Sequence, residues 1–222
     1  TMGEEWRRGW DPETIKPKKT DQKVLVVGSG PSGLECTLQL ARRGYHVTLA
    51  EAGNKLGGRV LFEAGLKGLS AWKRVADNRI YEIQQKNNID IYKESELTFS
   101  HINELGINNI FLATGSSWRK DGVGRSRRKP IQGINSFNVL TPEEAIKDSK
   151  HLNGPIVVYD DEQGYLGGVV ADHLSSEHHE IIFITPASLV SPWTESTLEQ
   201  KRVQKALLVS GVNIICNKFI EK

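Results

Sequence analysis

Little in this chain invites metal, membrane or disulfide chemistry. Its 222 residues include two cysteines, Cys36 and Cys216, too far apart to form a Cys-x-x-Cys pair. That spacing places no metal, iron–sulfur or dithiol site in the chain, and small packed thiols are the plain reading of both. No apolar run approaches the roughly 20 residues that span a bilayer. Thr1-Met2-Gly3-Glu4-Glu5-Trp6-Arg7-Arg8 has no hydrophobic signal core, so the cytoplasm is the expected compartment. The formal net charge is only +2, which gives no case for a nucleic-acid or membrane partner. His173, His178 and His179 have no acid at metal-ligand spacing and read as surface residues. No Ser/His/Asp or Cys/His arrangement stands out, so no catalytic residue is assigned.

What is present is glycine in a telling place. Lys23-Val24-Leu25-Val26-Val27 reads as a strand and runs into Gly28-Ser29-Gly30-Pro31-Ser32-Gly33, where a helical pattern begins. A second apolar run, Val47-Thr48-Leu49-Ala50, ends at Glu51. Strand, Gly-x-Gly-x-x-Gly turn, helix, strand and acid together point to a site for the ADP half of a dinucleotide. Gly28 serves the tight turn, Gly30 lets backbone approach a pyrophosphate, and Gly33 lets helix pack on strand. Pro31 suits the first helical position, and the N–H groups that follow face the phosphates. Glu51, followed by Ala52, is placed to accept ribose hydroxyls and to repel a 2′-phosphate, which favours FAD, NAD or ADP over NADP.

Further residues belong to the same expected site. Gly57-Gly58-Arg59 offers close approach and a bidentate donor. Ala113-Thr114-Gly115 ends a strand of the same sheet, where ligands of open α/β sheets collect. Leu97 is a candidate wall for an adenine. The basic run from Trp118 to Pro130 is a solvated face or a contact for phosphates, an acidic partner or a neighbouring domain.

The pattern predicts an α/β, Rossmann-like FAD/NAD(P)-binding fold, with a parallel sheet and helical crossovers, followed by a second, incomplete Rossmann-like unit. Helices are expected over 31–43, 69–87, 165–176 and 195–209. Residues 1–20 read as a lead-in segment, 21–150 as the FAD/ADP-binding domain and 151–222 as the second, degenerate domain. An offset of 134 lays Gly164 and Gly167 on Gly30 and Gly33, and lays Ile181-Ile182-Phe183 on Val47-Thr48-Leu49. It also puts Glu162 on Gly28 and Thr185 on Glu51. Asp160-Asp161-Glu162 would repel a pyrophosphate by about 1 kcal/mol or more per close pair.

Residues 3–13 followed by the Gly28 motif resemble the trimethylamine dehydrogenase family. This group of Old Yellow Enzyme-related iron–sulfur flavoproteins also holds dimethylamine and histamine dehydrogenases and bacterial 2,4-dienoyl-CoA reductase. Gly57-Gly58-Arg59, Ala113-Thr114-Gly115 with Trp118, and Asp160-Asp161-Glu162 with Gly167-Gly168 resemble family signatures, and the likeness spans the chain. It implies the C-terminal, dinucleotide-binding portion of a larger oxidoreductase, inactive alone, with FAD or ADP at the Gly28 site. The FMN, the [4Fe–4S] cluster and a TIM barrel would belong to a missing N-terminal part. The amine dehydrogenase branch implies electron delivery to an electron-transferring flavoprotein and a homodimer at full length. An NAD(P)H-dependent reductase and a non-enzymatic domain with a vestigial nucleotide site are the alternatives.

Overall fold

A computed structural model describes residues 7, 8, 15–177 and 179–220. Of the N-terminal signature only Arg7 and Arg8 fall within this range. Trp6, Trp10 and His178 lie outside the described residues.

The first unit is a parallel sheet built from β1 (Val24–Val27), β2 (Val47–Ala50), β3 (Ile89–Tyr92) and β4 (Asn109–Leu112) in the order β3-β2-β1-β4. Helix α1 (Pro31–Arg42) joins β1 to β2, and α3 (Lys73–Gln84) precedes β3. Two short helices, α2 (Arg59–Glu63) and α4 (Phe99–Glu104), complete it. Alternation along β1 explains the layering, because successive side chains point to opposite faces. Val26 joins Leu34, Leu38, Leu49 and Ile83 in a core shared with α1 and α3, while Leu25, Val27 and Ala50 pack under Leu97, Ile102 and Ile107. The ion pair between Arg79 Nε and Glu35 Oε2, at 2.7 Å, ties α1 to α3. The chain leaves β1 toward β2 on one side and reaches β4 on the other. The carboxyl ends of β1 and β4 therefore flank the point where strand order reverses, the place where open α/β sheets bind ligands. The outer strand β4 leaves Phe111 and Leu112 exposed.

The second unit holds a parallel sheet in the order β5 (Ile156–Tyr159), β6 (Ile181–Ile184) and β7 (Asn213–Ile215). Helix α5 (Pro142–Lys147) packs on α6 (Leu166–Ser176), which packs on α7 (Gln200–Val209). The fold class read from the sequence is thus the fold observed in both units.

Three details differ from the sequence pattern. Compact packing divides the chain after Ser116, and Leu66–Gly68 groups with the later residues. Residues 117–150 thus group with the second unit, whereas the sequence pattern, in which the second unit begins with the strand after Gly154, puts them in the 21–150 segment. They are held there by Ser126 N–H on Asp161, by Arg127 on the Ile220 carbonyl and by α5 against α6. The helix expected over 195–209 starts only at Gln200, because Leu198 takes a left-handed φ of 61°. The repeat offset of 134 holds at β2 and β6 but is 132 at β1 and β5. The turn from β1 to α1 has three residues, Gly28–Gly30, and the turn from β5 to α6 has six, Asp160–Tyr165. By strand register it is Asp160, not Glu162, that follows the strand where Gly28 does.

Candidate functional site

Tight backbone packing builds the site at the carboxyl end of β1. Gly28 has φ 99°, and a Cβ there would lie 2.4 Å from the Ala113 carbonyl oxygen. A Cβ on Gly33 would lie 1.9 Å from the Gly28 carbonyl oxygen and 3.2 Å from the Ala113 Cβ. Both positions admit only glycine, so β1, α1 and β4 close on one another at this point. Gly58, with φ 60°, approaches the Gly30 Cα so closely that a Cβ would sit 2.8 Å from it. Gly57 N–H donates to the Ser29 carbonyl at 2.9 Å. The structure thus brings Gly57-Gly58, Gly28–Gly33 and Ala113 together.

Gly30 differs from these neighbours. Its φ of −64° and ψ of 177° suit any residue, and a Cβ there would meet nothing within 4 Å. The protein's own packing gives no reason for glycine at this position. The adjoining helix start is also open. No side chain caps α1; α2, α3, α6 and α7 also start without a side-chain cap, while Thr98 caps α4 and Thr141 caps α5, each in a reciprocal capping box. The first helical bond runs from Leu34 N–H to the Gly30 carbonyl at 2.9 Å. The N–H groups of Ser32 and Gly33 precede it and have no intrahelical acceptor. They lie at the positive end of the α1 helix dipole.

Glu51 is half-buried and held firmly. Its Oε2 accepts from Ser29 N–H at 2.8 Å and from Ser29 Oγ, and its Oε1 accepts from Gly53 N–H at 2.8 Å. Burial alone would raise its pKa. The three hydrogen bonds, from Ser29 Oγ, Gly53 N–H and Ser29 N–H, outweigh burial and hold the carboxyl below the usual glutamate value.

The other expected residues fall into two groups. Arg59 opens α2 and donates from Nη2 to the Ser116 carbonyl at 2.6 Å. Thr114 and Gly115 continue from Ala113 on the surface, and Ala52 is exposed beside Glu51. Leu97 sits partly buried on the Leu25, Val27 and Ala50 cluster. Ser29 and Gly53 are structural members that the spacing alone does not mark. Ser29 fills an unspecified position of the glycine motif, and its hydroxyl was the one clue in the sequence.

The corresponding turn in the second unit is filled by its own side chains. Glu162 Oε2 accepts from Gly164 N–H at 2.7 Å, and Asp161 accepts from Ser126 N–H at 3.0 Å. Asp160 is 3% exposed, and its Oδ1 takes Gln163 N–H at 2.9 Å. Burial, followed by the nearby Glu162 and Asp161 charges, raises its pKa to about 6. A Cβ on Gly167 would lie 2.7 Å from the Asp160 carboxyl carbon, so this carboxyl packs against the start of α6. The basic run is partly neutralised in place. Arg119 pairs with Asp121, Lys120 with Glu144, and Arg125 lies 4.7 Å over the Trp193 ring. His179 Nε2 bonds the Ser149 carbonyl at 2.7 Å, and His173 stands 4.0 Å from Glu177. Cys36 and Cys216 are half-buried free thiols. Among the described residues no cluster of His, Cys, Asp or Glu could hold a metal, and no helix is long and apolar enough to cross a membrane.

Comparison with known proteins agrees with this architecture. Dimethylamine dehydrogenase of Hyphomicrobium sp. (strain x) is 32% identical over 97% of this chain, which spans 30% of that protein. The structure of histamine dehydrogenase from Rhizobium sp. 4-9 superposes with a TM-score of 0.90 at 44% identity, over 96% of this chain and 32% of that one. The 6-hydroxypseudooxynicotine amine oxidase of Pseudomonas geniculata N1 gives 0.89 at 40% identity, over 97% of this chain and 32% of that one. The chain therefore spans about a third of the length of these relatives. One family model, described as pyridine nucleotide-disulphide oxidoreductase, matches residues 7–64 and 22–222. A parallel sheet with a glycine-bound turn at its switch point and a match over most of the chain agree: this chain belongs to the pyridine nucleotide-disulphide oxidoreductase family.

Proposed function

We propose that this chain is the nucleotide-binding portion of a flavin-dependent amine dehydrogenase, and that Gly28–Gly33 with Glu51 holds the ADP moiety of FAD, or ADP itself. The observation that carries this reading is Gly30. Its Cβ direction opens onto free space in front of an uncapped helix start. A pyrophosphate fits that surface: Ser32 and Gly33 N–H would donate to its oxygens, and the dipole of α1 would favour its charge. Glu51 would accept a ribose hydroxyl. Arg59, Gly58 and Thr114-Gly115 border the same end of the sheet, and Leu97 is the proposed adenine wall.

Similarity to dimethylamine and histamine dehydrogenases supports an amine or N-methyl substrate, met in the part of the enzyme outside this chain. FMN and a [4Fe–4S] cluster belong to that same part in our reading, with an electron-transferring flavoprotein as acceptor, a homodimer as the assembly and the cytoplasm as the site of action. A flavin would supply two-electron oxidation chemistry. This chain's residues would bind and orient its nucleotide end, and none of them takes a catalytic role. The exposed Phe111 and Leu112 on β4 agree with a larger assembly. In the second unit, carboxylates occupy the turn where a nucleotide phosphate would lie, which disfavours NAD(P)H there.

Purification followed by an absorption spectrum and identification of the nucleotide released on denaturation tests the reading. Yellow protein releasing FAD, or colourless protein releasing ADP, is expected. Neither nucleotide retained, and neither bound at micromolar concentration, points to a vestigial site. Rapid NAD(P)H oxidation points to a reductase.

A further inference from the structure

We infer that Ser29 is a specificity-positioning residue: its hydroxyl fixes the Glu51 carboxylate so that a single acceptor site faces the ribose of an adenine nucleotide that lacks a 2′-phosphate. The inference rests on the nucleotide reading above and adds a residue and a selectivity to it.

A carboxylate has about four lone-pair sites. Ser29 N–H and Oγ both donate to Oε2, and Gly53 N–H donates to Oε1. Oε2 is saturated, and Oε1 keeps one acceptor position. Ser29 is fully buried, so its hydroxyl reaches the ligand only through Glu51. Two donors from one residue on one oxygen define the carboxylate plane as well as its place, which a single backbone bond would not do. Gly53 completes the clamp from the far side. No charged side chain contributes to the lowered pKa of Glu51, which comes from the Ser29 and Gly53 hydrogen bonds against burial. The carboxylate is therefore held ionised by neutral donors and retains its full charge toward the ligand. A ribose hydroxyl finds one well-aimed acceptor, and a 2′-phosphate meets an uncompensated negative charge that cannot swing away.

The test compares the chain with its Ser29→Ala variant in calorimetric titrations with ADP and with 2′-phospho-ADP. A carbon-13 titration of the Glu51 carboxyl is run on both without nucleotide. Thermal melts check that each variant folds. In Ser29→Ala we expect about tenfold weaker ADP binding, a smaller preference for ADP over 2′-phospho-ADP, and a Glu51 midpoint shifted upward. Ser29→Thr, which keeps the hydroxyl, should restore all three. Unchanged affinity, preference and Glu51 midpoint in Ser29→Ala overturn the inference, and so does a threonine variant as impaired as the alanine one. If the unaltered chain binds no ADP while the Glu51 midpoint still moves in Ser29→Ala, the positioning holds and the nucleotide reading fails.

Discussion

Replacing Gly30 separates a glycine kept for a ligand from glycines kept for the fold. At Gly30 the backbone is extended and ordinary for any residue, and a Cβ meets nothing within 4 Å. Gly30→Ala should therefore leave stability unchanged or raise it by about 0.4–1 kcal/mol, because the unfolded chain loses freedom. Binding should suffer in contrast. The added group stands where backbone and phosphate would touch, and it would keep the phosphate from the Ser32 and Gly33 N–H groups. Two charge-assisted hydrogen bonds at about 1.5–3 kcal/mol each give a loss of about 3–6 kcal/mol, or roughly 10² to 10⁴ in affinity for the larger Gly30→Val. Gly33→Ala is the control. Its Cβ would lie 1.9 Å from the Gly28 carbonyl oxygen, so it should destabilise the whole first unit. Urea melts and calorimetric ADP titrations on the three variants form the assay. Full ADP affinity in Gly30→Val, or a Gly33→Ala variant as stable as the parent, refutes the reasoning.

Other outcomes follow from the second unit. Asp160 has a folded pKa of about 6 against an ordinary 3.8, so its contribution to stability is fully present below about 3.8 and is lost as pH rises through about 6. The loss amounts to about 3 kcal/mol across that window, and Asp160→Asn should flatten a plot of urea midpoint against pH and be the more stable protein at pH 8. An unchanged pH profile would mean that Asp160 is solvated in the folded chain. Leu198 holds φ 61° while 90% exposed, so Leu198→Gly should raise the melting temperature by relieving about 1 kcal/mol of backbone strain. A lowered melting temperature would show that the leucine side chain stabilises the fold.

The glycine turn after β1 is legible in the sequence because its constraints are local. Strand, three glycines at fixed spacing and an acid after the next strand are all consecutive in sequence, and each answers to a steric or electrostatic need. The clamp on Glu51 was not legible, because Ser29 occupies a position of the motif that any small residue can fill. In the second unit, Gly164 and Gly167 imitate the spacing of Gly30 and Gly33 and suggest a simple repeat. Strand pairing fixes the register instead, and three extra residues separate β5 from α6. Periodicity also runs through the break at Leu198, since apolar spacing carries no information about a left-handed φ. Helices α4 and α5 are each six residues long, too short for a periodic signal. The start of α5 is nevertheless written in Thr141-Pro142-Glu143-Glu144, a capping box with proline at the first helical position.

Nucleotide stoichiometry tests the central claim most directly. Equilibrium dialysis of the purified, nucleotide-stripped chain against labelled ADP should give one bound ADP per chain, abolished by Gly30→Val and unaffected by Glu162→Gln. No binding, or two ADP per chain, would contradict an account in which the first turn is open to a nucleotide and the second is filled by its own carboxylates.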